Sequence, residues 1–236
     1  MILSIIIPCY NEEQTIASVI EAVEKVPLSA LNVRTEVIVV DDGSTDATWS
    51  ILQECAKKHT IKILRHEKNA GKGSAIRSSI KLITGDVVLI QDADMEYSPD
   101  DYPLILKPFL DGTADVVYGS RFLAIRHPKG MKSLFYWGNR WLTFLANFLY
   151  GINITDEATC YKAFRTPILK AMELECKEFE FCPEVTAKLS LKKIKIVEVP
   201  VRYLARTALM GKKISWKDAY QATLTLIRYW LKSKLS

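Results

Sequence analysis

The sequence lacks any arrangement that would tie its cysteines together. Cys9, Cys55, Cys160, Cys176 and Cys182 are odd in number, scattered and without CxxC spacing, which excludes a disulfide framework and a cysteine zinc site. Reduced thiols in a cytoplasmic compartment are the expectation that follows. Histidine is scarcer still. His59, His66 and His127 stand apart from other ligand types, so no histidine metal centre is expected. Long hydrophobic runs are missing too. The longest uncharged stretch lies between Arg140 and Asp156, short of the roughly 20 apolar residues that a spanning helix needs. Any membrane contact is therefore expected to be peripheral. Met1 runs into an apolar segment with no basic leader, so no signal peptide is expected. The GxSxG nucleophile elbow is absent. The segment Asn69-Ala70-Gly71-Lys72-Gly73-Ser74 lacks GxxxxGK[ST] spacing, because Gly73 follows Lys72 and His66 stands where the first glycine belongs, which excludes a P-loop ATPase. It reads as a turn at a helix start, with Lys72 able to reach a phosphate.

What is present is an ordinary globular composition: 236 residues, 49% hydrophobic and 25% charged, enough for one α/β domain over residues 1–236. No repeat, low-complexity stretch or linker interrupts it. The net charge of +5 conceals an asymmetry. Residues 1–116 carry 11 Lys+Arg and 18 Asp+Glu, a net of −7, and residues 117–236 carry 21 and 9, a net of +12. An acidic half suits a metal, and a basic half suits phosphates or anionic lipid.

Apolar runs rich in Val and Ile mark strands at 3–8, 36–41, 61–65, 86–91 and 115–118. Helical spacing marks 13–25, 46–58, 72–83 and 100–110 between them. Such alternation predicts an α/β fold with a mainly parallel, Rossmann-like sheet covered by helices on both faces. After residue 120, helices are expected at 132–150, 167–174, 183–191 and 215–235, with a strand at 194–200. The last forms a basic, amphipathic C-terminal extension.

Parallel sheets bind ligands beyond the carboxyl ends of their strands, and three polar clusters fall there. Asp92-Ala93-Asp94-Met95-Glu96 places carboxylates at i, i+2 and i+4, on one side if the strand continues. Crowded negative charge needs a cation, and hard oxygen ligands favour Mg²⁺ or Mn²⁺ shared with substrate phosphates. Asp92, Asp94 and Glu96 are thus the expected metal ligands. In Asp41-Asp42-Gly43-Ser44-Thr45-Asp46, helix capping accounts for Ser44 or Thr45 but not for two adjacent acids. One is expected to satisfy the turn and the other to accept hydrogen bonds from a base or ribose. In Pro8-Cys9-Tyr10-Asn11-Glu12-Glu13, Asn11 is a candidate helix cap and Tyr10 a surface for a nucleobase or ribose.

Taken in order with Gly119-Ser120-Arg121, Thr155-Asp156-Glu157-Ala158-Thr159-Cys160-Tyr161-Lys162 and Glu198-Val199-Pro200-Val201-Arg202-Tyr203, these motifs resemble the family 2 glycosyltransferases of the GT-A fold. The resemblance is to the dolichol-phosphate mannose synthase group and its polyprenyl-phosphate relatives, and it covers most of the chain. It implies an inverting, metal-dependent transfer from a nucleotide-sugar. Pro8, Tyr10, Asn11, Glu12, Val40, Asp42, Lys72, Asp92, Ala93 and Arg121 would hold the donor. Asp94 would act at the catalytic centre, and Glu96 stands where the group often carries Gln. Arg121, Arg206, Lys212 and Lys213 match positions that meet donor or acceptor phosphates, with Arg206 and Lys213 counted as catalytic.

The acceptor decides what else is needed. A sugar hydroxyl requires a general base, for which Asp156 is the candidate. A lipid phosphate is already ionised, with a second pKa of about 6, and needs cations instead. Residues 202–236 hold eight basic residues against Asp218 alone, which favours polyprenyl phosphate at the inner face of a membrane. A saccharide acceptor and a catalytically lapsed nucleotide binder remain as alternatives. Nucleic-acid binding is not expected, since no recognition motif accompanies the basic charge. A homo-oligomer or a membrane-protein partner stays open.

Overall fold

The computed structural model describes residues 1–123, 125, 127–128, 130–205 and 216–235. The strands are β1 (Ile2–Cys9), β2 (Arg34–Asp41), β3 (Ile61–Arg65), β4 (Val87–Ile90), β5 (Val116–Ser120), β6 (Lys162–Arg165) and β7 (Val197–Pro200). The helices are α1 (Ile16–Lys25), α2 (Thr48–Lys58), α3 (Lys72–Ser79), α4 (Tyr102–Leu110), α5 (Ser133–Tyr150), α6 (Thr166–Lys170), α7 (Phe181–Leu191) and α8 (Trp216–Leu235). The sheet runs β3-β2-β1-β4-β6-β5-β7. All neighbours are parallel except β6, which pairs antiparallel with β4 and β5.

Successive side chains of a strand point to opposite faces, and that alternation builds two cores. Leu3, Ile5, Ile7, Val37, Val39, Val87 and Leu89 join one cluster with α1 and α4. Ile6, Ile38, Val88 and Ile90 join another with α3 and α7. A third, smaller cluster sets Leu142, Leu145 and Ala146 of α5 against Ala222 and Leu226 of α8.

The expected elements are found with shifted ends, and one strand is new. The region 167–174 shortens to α6, and Glu173 beyond it has φ 49°. The strand expected at 194–200 begins at Val197. Strand β6 was not expected. Its four residues are bounded by Lys162 and Arg165, and Lys162 is fully buried. The Lys162 ammonium donates to the Glu157 carbonyl at 2.8 Å and lies 3.5 Å from the centre of the Tyr118 ring. Because β6 and β7 belong to this sheet, the basic half of the sequence completes the scaffold that the acidic half begins.

Glu36 ties the near end of the sheet together. Its carboxylate accepts from Lys62 at 2.5 Å, from the Thr84 hydroxyl at 2.8 Å, from the Thr84 amide at 3.0 Å and from Ser4. Burial pushes its pKa upward, but these donors outweigh that and lower it from 4.5 to about 2. A lowered carboxyl contributes stability that is present above its unfolded pKa and is lost as pH falls through its folded one. Glu36→Gln is therefore expected to lower Tm at pH 6, with the gap from wild type closing between about pH 4.5 and 2. A gap of equal size at pH 6 and pH 2, measured by thermal unfolding, would refute the assignment.

Candidate active site

Three expected clusters follow β1, β2 and β4 and meet at one edge of the sheet, where Arg121 follows β5. Pro8, Tyr10, Glu12, Asp42, Lys72, Asp92, Ala93, Asp94, Glu96 and Arg121 all line a single cavity of about 800 Å³. Two expected donor-site residues do not line it. Val40 is fully buried within β2. Asn11, expected as a helix cap, instead pins two loops together: its amide donates to Ser44 Oγ at 2.9 Å and its Oδ1 accepts from the Thr45 amide at 2.8 Å. Helix α1 starts later, after Thr15, and the Thr15 hydroxyl donates to the Ala93 carbonyl at 2.7 Å.

Asp41, the last residue of β2, and Asp42 after it both bond within the protein. Asp41 accepts from the Ser44 amide at 3.2 Å, and Arg65 Nε lies 3.2 Å from its other oxygen. Asp42 is 2% exposed and organises the loop that follows β3. It accepts from the Gly71 amide at 2.7 Å, from the Ala70 amide at 3.1 Å and from His66 Nδ1 at 2.6 Å. Gly71 is required at that loop, with φ 95° and a Cβ position only 2.4 Å from the Lys177 carbonyl oxygen.

The three carboxylates after β4 do not lie on a continuing strand, which corrects the expectation that strand geometry would align them. The strand stops at Ile90, and Met95 has φ 60°, so the chain turns. Asp92 is paired with Lys72. Asp94 Oδ1 accepts from the Glu96 amide at 3.0 Å, and Glu96 Oε2 accepts from the Tyr203 hydroxyl at 2.9 Å. Among the described residues no group of three His, Cys, Asp or Glu side chains is placed to hold a metal. The donor chemistry still fits Mg²⁺ or Mn²⁺, which are commonly held by one or two carboxylates plus substrate phosphates rather than by a full protein cage. Lys72 reaches the cavity as an ion pair. Burial disfavours its ammonium, but Asp92 outweighs that and keeps it protonated well above the usual range.

Asp156 is the second correction. It is fully buried and takes both side-chain bonds of Arg121, Nε to Oδ2 at 2.7 Å and Nη2 to Oδ1 at 2.6 Å, plus the Arg121 amide at 2.9 Å. A carboxylate saturated in this way positions Arg121 rather than receiving a proton from a substrate hydroxyl. Arg121 also lies 5.2 Å from the centre of the Tyr203 ring. Burial disfavours its charge, and Asp156 more than restores it. Removing one member of a buried pair leaves the other uncompensated, so Asp156→Asn is expected to cost about 3–5 kcal/mol of stability. Urea unfolding that shifts by under about 1 kcal/mol, the range of exposed pairs, would contradict this.

Arg206, Lys212 and Lys213 lie outside the described residues. The cavity wall also contains residues that no motif marked. Leu134, Trp137 and Trp141 of α5 and Trp216 of α8 are among its lining residues. The signal for the α5 residues was the aromatic density of 132–150, which core packing would equally have explained, and Trp216 falls in the amphipathic segment expected at 215–235.

The sequence model described as Glycosyl transferase family 2 matches residues 4–172. A UDP-N-acetylglucosamine–dolichyl-phosphate N-acetylglucosaminyltransferase from Methanococcus voltae is 29% identical over 219 residues, covering 84% of each chain. A dolichol-phosphate mannosyltransferase from Pyrococcus furiosus is 31% identical over 225 residues, covering 91% of this chain and 61% of that protein. Among solved structures, glucosyl-3-phosphoglycerate synthase from Mycobacterium tuberculosis superposes with a TM-score of 0.68 at 23% identity, over 96% of this chain and 79% of that one. A mannosyltransferase from Pyrobaculum calidifontis in complex with GDP-mannose and Mn²⁺ gives 0.60 at 15% identity, over 98% and 73%. The fold is thus that of the GT-A enzymes, and the chain belongs to glycosyl transferase family 2 as a glycosyltransferase.

Proposed function

We propose that the chain moves a hexose from a nucleotide-sugar, GDP-mannose or UDP-glucose, to a polyprenyl phosphate at the inner face of a membrane. The observation that carries this is the mixed lining of the cavity. Its wall includes both Asp42, Asp92 and Asp94 and Leu134, Trp137, Trp141 and Trp216, so a polar donor and a lipid-linked acceptor can occupy one space. These apolar residues belong to two helices that expose large apolar side chains. Leu134, Trp137, Phe144 and Phe148 of α5 and Trp216 and Tyr220 of α8 are 74%, 68%, 58%, 74%, 70% and 61% exposed. Exposed apolar patches of this kind mark partner or membrane surfaces. Among the described residues no helix is long and apolar enough to cross a membrane, and peripheral contact is what these two helices offer. The names of the Methanococcus and Pyrococcus relatives agree with a lipid-phosphate acceptor.

The residues then divide the work. Asp42 and the loop it organises hold the nucleoside end, with Tyr10 and Pro8 beside it. Asp92 and Asp94 would hold Mg²⁺ or Mn²⁺. Such an ion would offset the charge of the departing diphosphate. Lys72 and Arg121 add fixed positive charge, and preorganised charge of this kind favours a single direct displacement that inverts the anomeric centre. No residue needs to deprotonate the acceptor, because a phosphate monoester is ionised near neutrality. The bound state of Asp156 agrees with that. Arg206 and Lys213 are proposed to meet the acceptor phosphate.

The test is transfer from labelled nucleotide-sugars to a short polyprenyl phosphate, beside free saccharide acceptors, with Mg²⁺, Mn²⁺ or chelator. Transfer to the lipid phosphate is expected. Robust transfer to a saccharide hydroxyl with none to lipid phosphate would overturn the acceptor.

A further inference from the structure

Cys160 and Cys182 are far apart in sequence and adjacent in space. Cys160 immediately precedes the short turn into β6, and Cys182 occupies the first turn of α7. Their sulfurs are 3.9 Å apart, and both side chains line the cavity. Cys182 Sγ donates to the Thr159 carbonyl at 3.3 Å, and Lys72 Nζ donates to Cys160 Sγ at 3.0 Å while also holding Asp92. Cys9 also lines the cavity, but its sulfur donates to the Val40 carbonyl at 3.5 Å, Cys55 is buried in the core, and Cys176 is bonded to Glu184.

We infer that Cys160 and Cys182 form a dithiol modification site in the cavity wall, which a small external disulfide converts to an intramolecular disulfide. The sulfurs must close from 3.9 Å to a bond length of about 2.05 Å. The mutual hydrogen bond lowers the pKa of Cys182 against the opposing effect of burial, with Lys162 adding to it. The first step begins with Cys182 as the thiolate, its proton given to water. The Cys182 thiolate attacks one sulfur of the external disulfide RSSR, and RS⁻ departs. The Cys160 sulfur, giving its proton to that RS⁻, displaces the second RS⁻ and closes the protein disulfide. Two protein thiols are oxidised and one RSSR is reduced to two thiols.

Closure removes one of the two partners of Lys72 at the place where Asp92 is held. Donor affinity is therefore expected to fall on oxidation; this consequence rests on the proposed donor site, whereas the cross-link does not. The experiment treats the full chain with glutathione disulfide. Expected are the loss of two of the five thiols, an intact mass lower by two hydrogens, and a peptide map joining Cys160 to Cys182, all reversed by dithiothreitol. Cys160→Ser and Cys182→Ser should each abolish the cross-link, and where either fails to fold the wild-type map decides alone. Five surviving thiols, or a stable glutathione adduct without a cross-link, overturns the site. A cross-linked chain with unchanged nucleotide-sugar affinity overturns the coupling through Lys72.

Discussion

Asp94→Asn is expected to lower sugar transfer at saturating donor by about a thousandfold, equivalent to about 4 kcal/mol of activation free energy. Asp94 lines the cavity and sits in a turn rather than on a strand, where its Oδ1 accepts from the Glu96 amide. Asparagine keeps an oxygen at that position, so the turn persists and Tm should change little. What disappears is the negative charge that would hold Mg²⁺ or Mn²⁺ and, through it, the leaving diphosphate. The charge matters because the site already carries its own cation: Lys72 neutralises Asp92, leaving Asp94 as the carboxylate whose loss most alters the balance. Turnover near wild type, with an unchanged response to added Mn²⁺ and to chelator, would remove Asp94 from the catalytic centre.

How far such a site can be read from sequence depends on the range of the forces that build it. Strands β1, β2 and β4 are legible because Ile5–Ile7, Val37–Val40 and Val87–Ile90 are buried on both faces and so read as apolar runs. The polar clusters after them are legible for the same reason, since the place where such a run ends is the ligand edge of a parallel sheet. Strand β6 fails that test. Its Lys162 looks like a surface residue, and the Tyr118 ring of β5 and the Glu157 carbonyl make its burial tolerable. Asp156 misleads in the same manner. A lone acid in a motif suggests a base, but its occupancy by Arg121, 35 residues away, is a property of the fold. The turn at Met95 is local, yet the strand pattern gives no warning of φ 60° at a methionine. The meeting of Cys160 with Cys182 is likewise set by where α7 docks and not by spacing.

Phe144→Ser combined with Phe148→Ser is expected to weaken binding to anionic vesicles by about a hundredfold while sparing the catalytic centre. On α5 the residues Leu134, Trp137, Trp141, Phe144 and Phe148 recur every three or four positions, so they form one stripe. Leu142, Leu145 and Ala146 pack against α8, whereas Phe144 and Phe148 of the stripe stay exposed. Phe144 and Phe148 are more than half exposed and do not line the cavity, so their replacement leaves both the fold and the donor end intact. Burying an exposed phenylalanine in the headgroup boundary is worth about 1.5 kcal/mol at the low end, and two such losses, about 3 kcal/mol, correspond to about a hundredfold. Lys217, Arg228, Lys232 and Lys234 on α8 add attraction to anionic lipid. That part is screened beyond a Debye length of about 10 Å at 0.1 M salt, whereas the aromatic contribution is not. Vesicle sedimentation at low and high salt therefore separates the two: the double variant should lose the salt-resistant fraction of binding, and charge reversal at Lys232 and Lys234 the salt-sensitive fraction. Transfer to a short, water-soluble polyprenyl phosphate should survive in the double variant, because its acceptor arrives without the bilayer. Full vesicle binding by the double variant would show that this face serves another purpose.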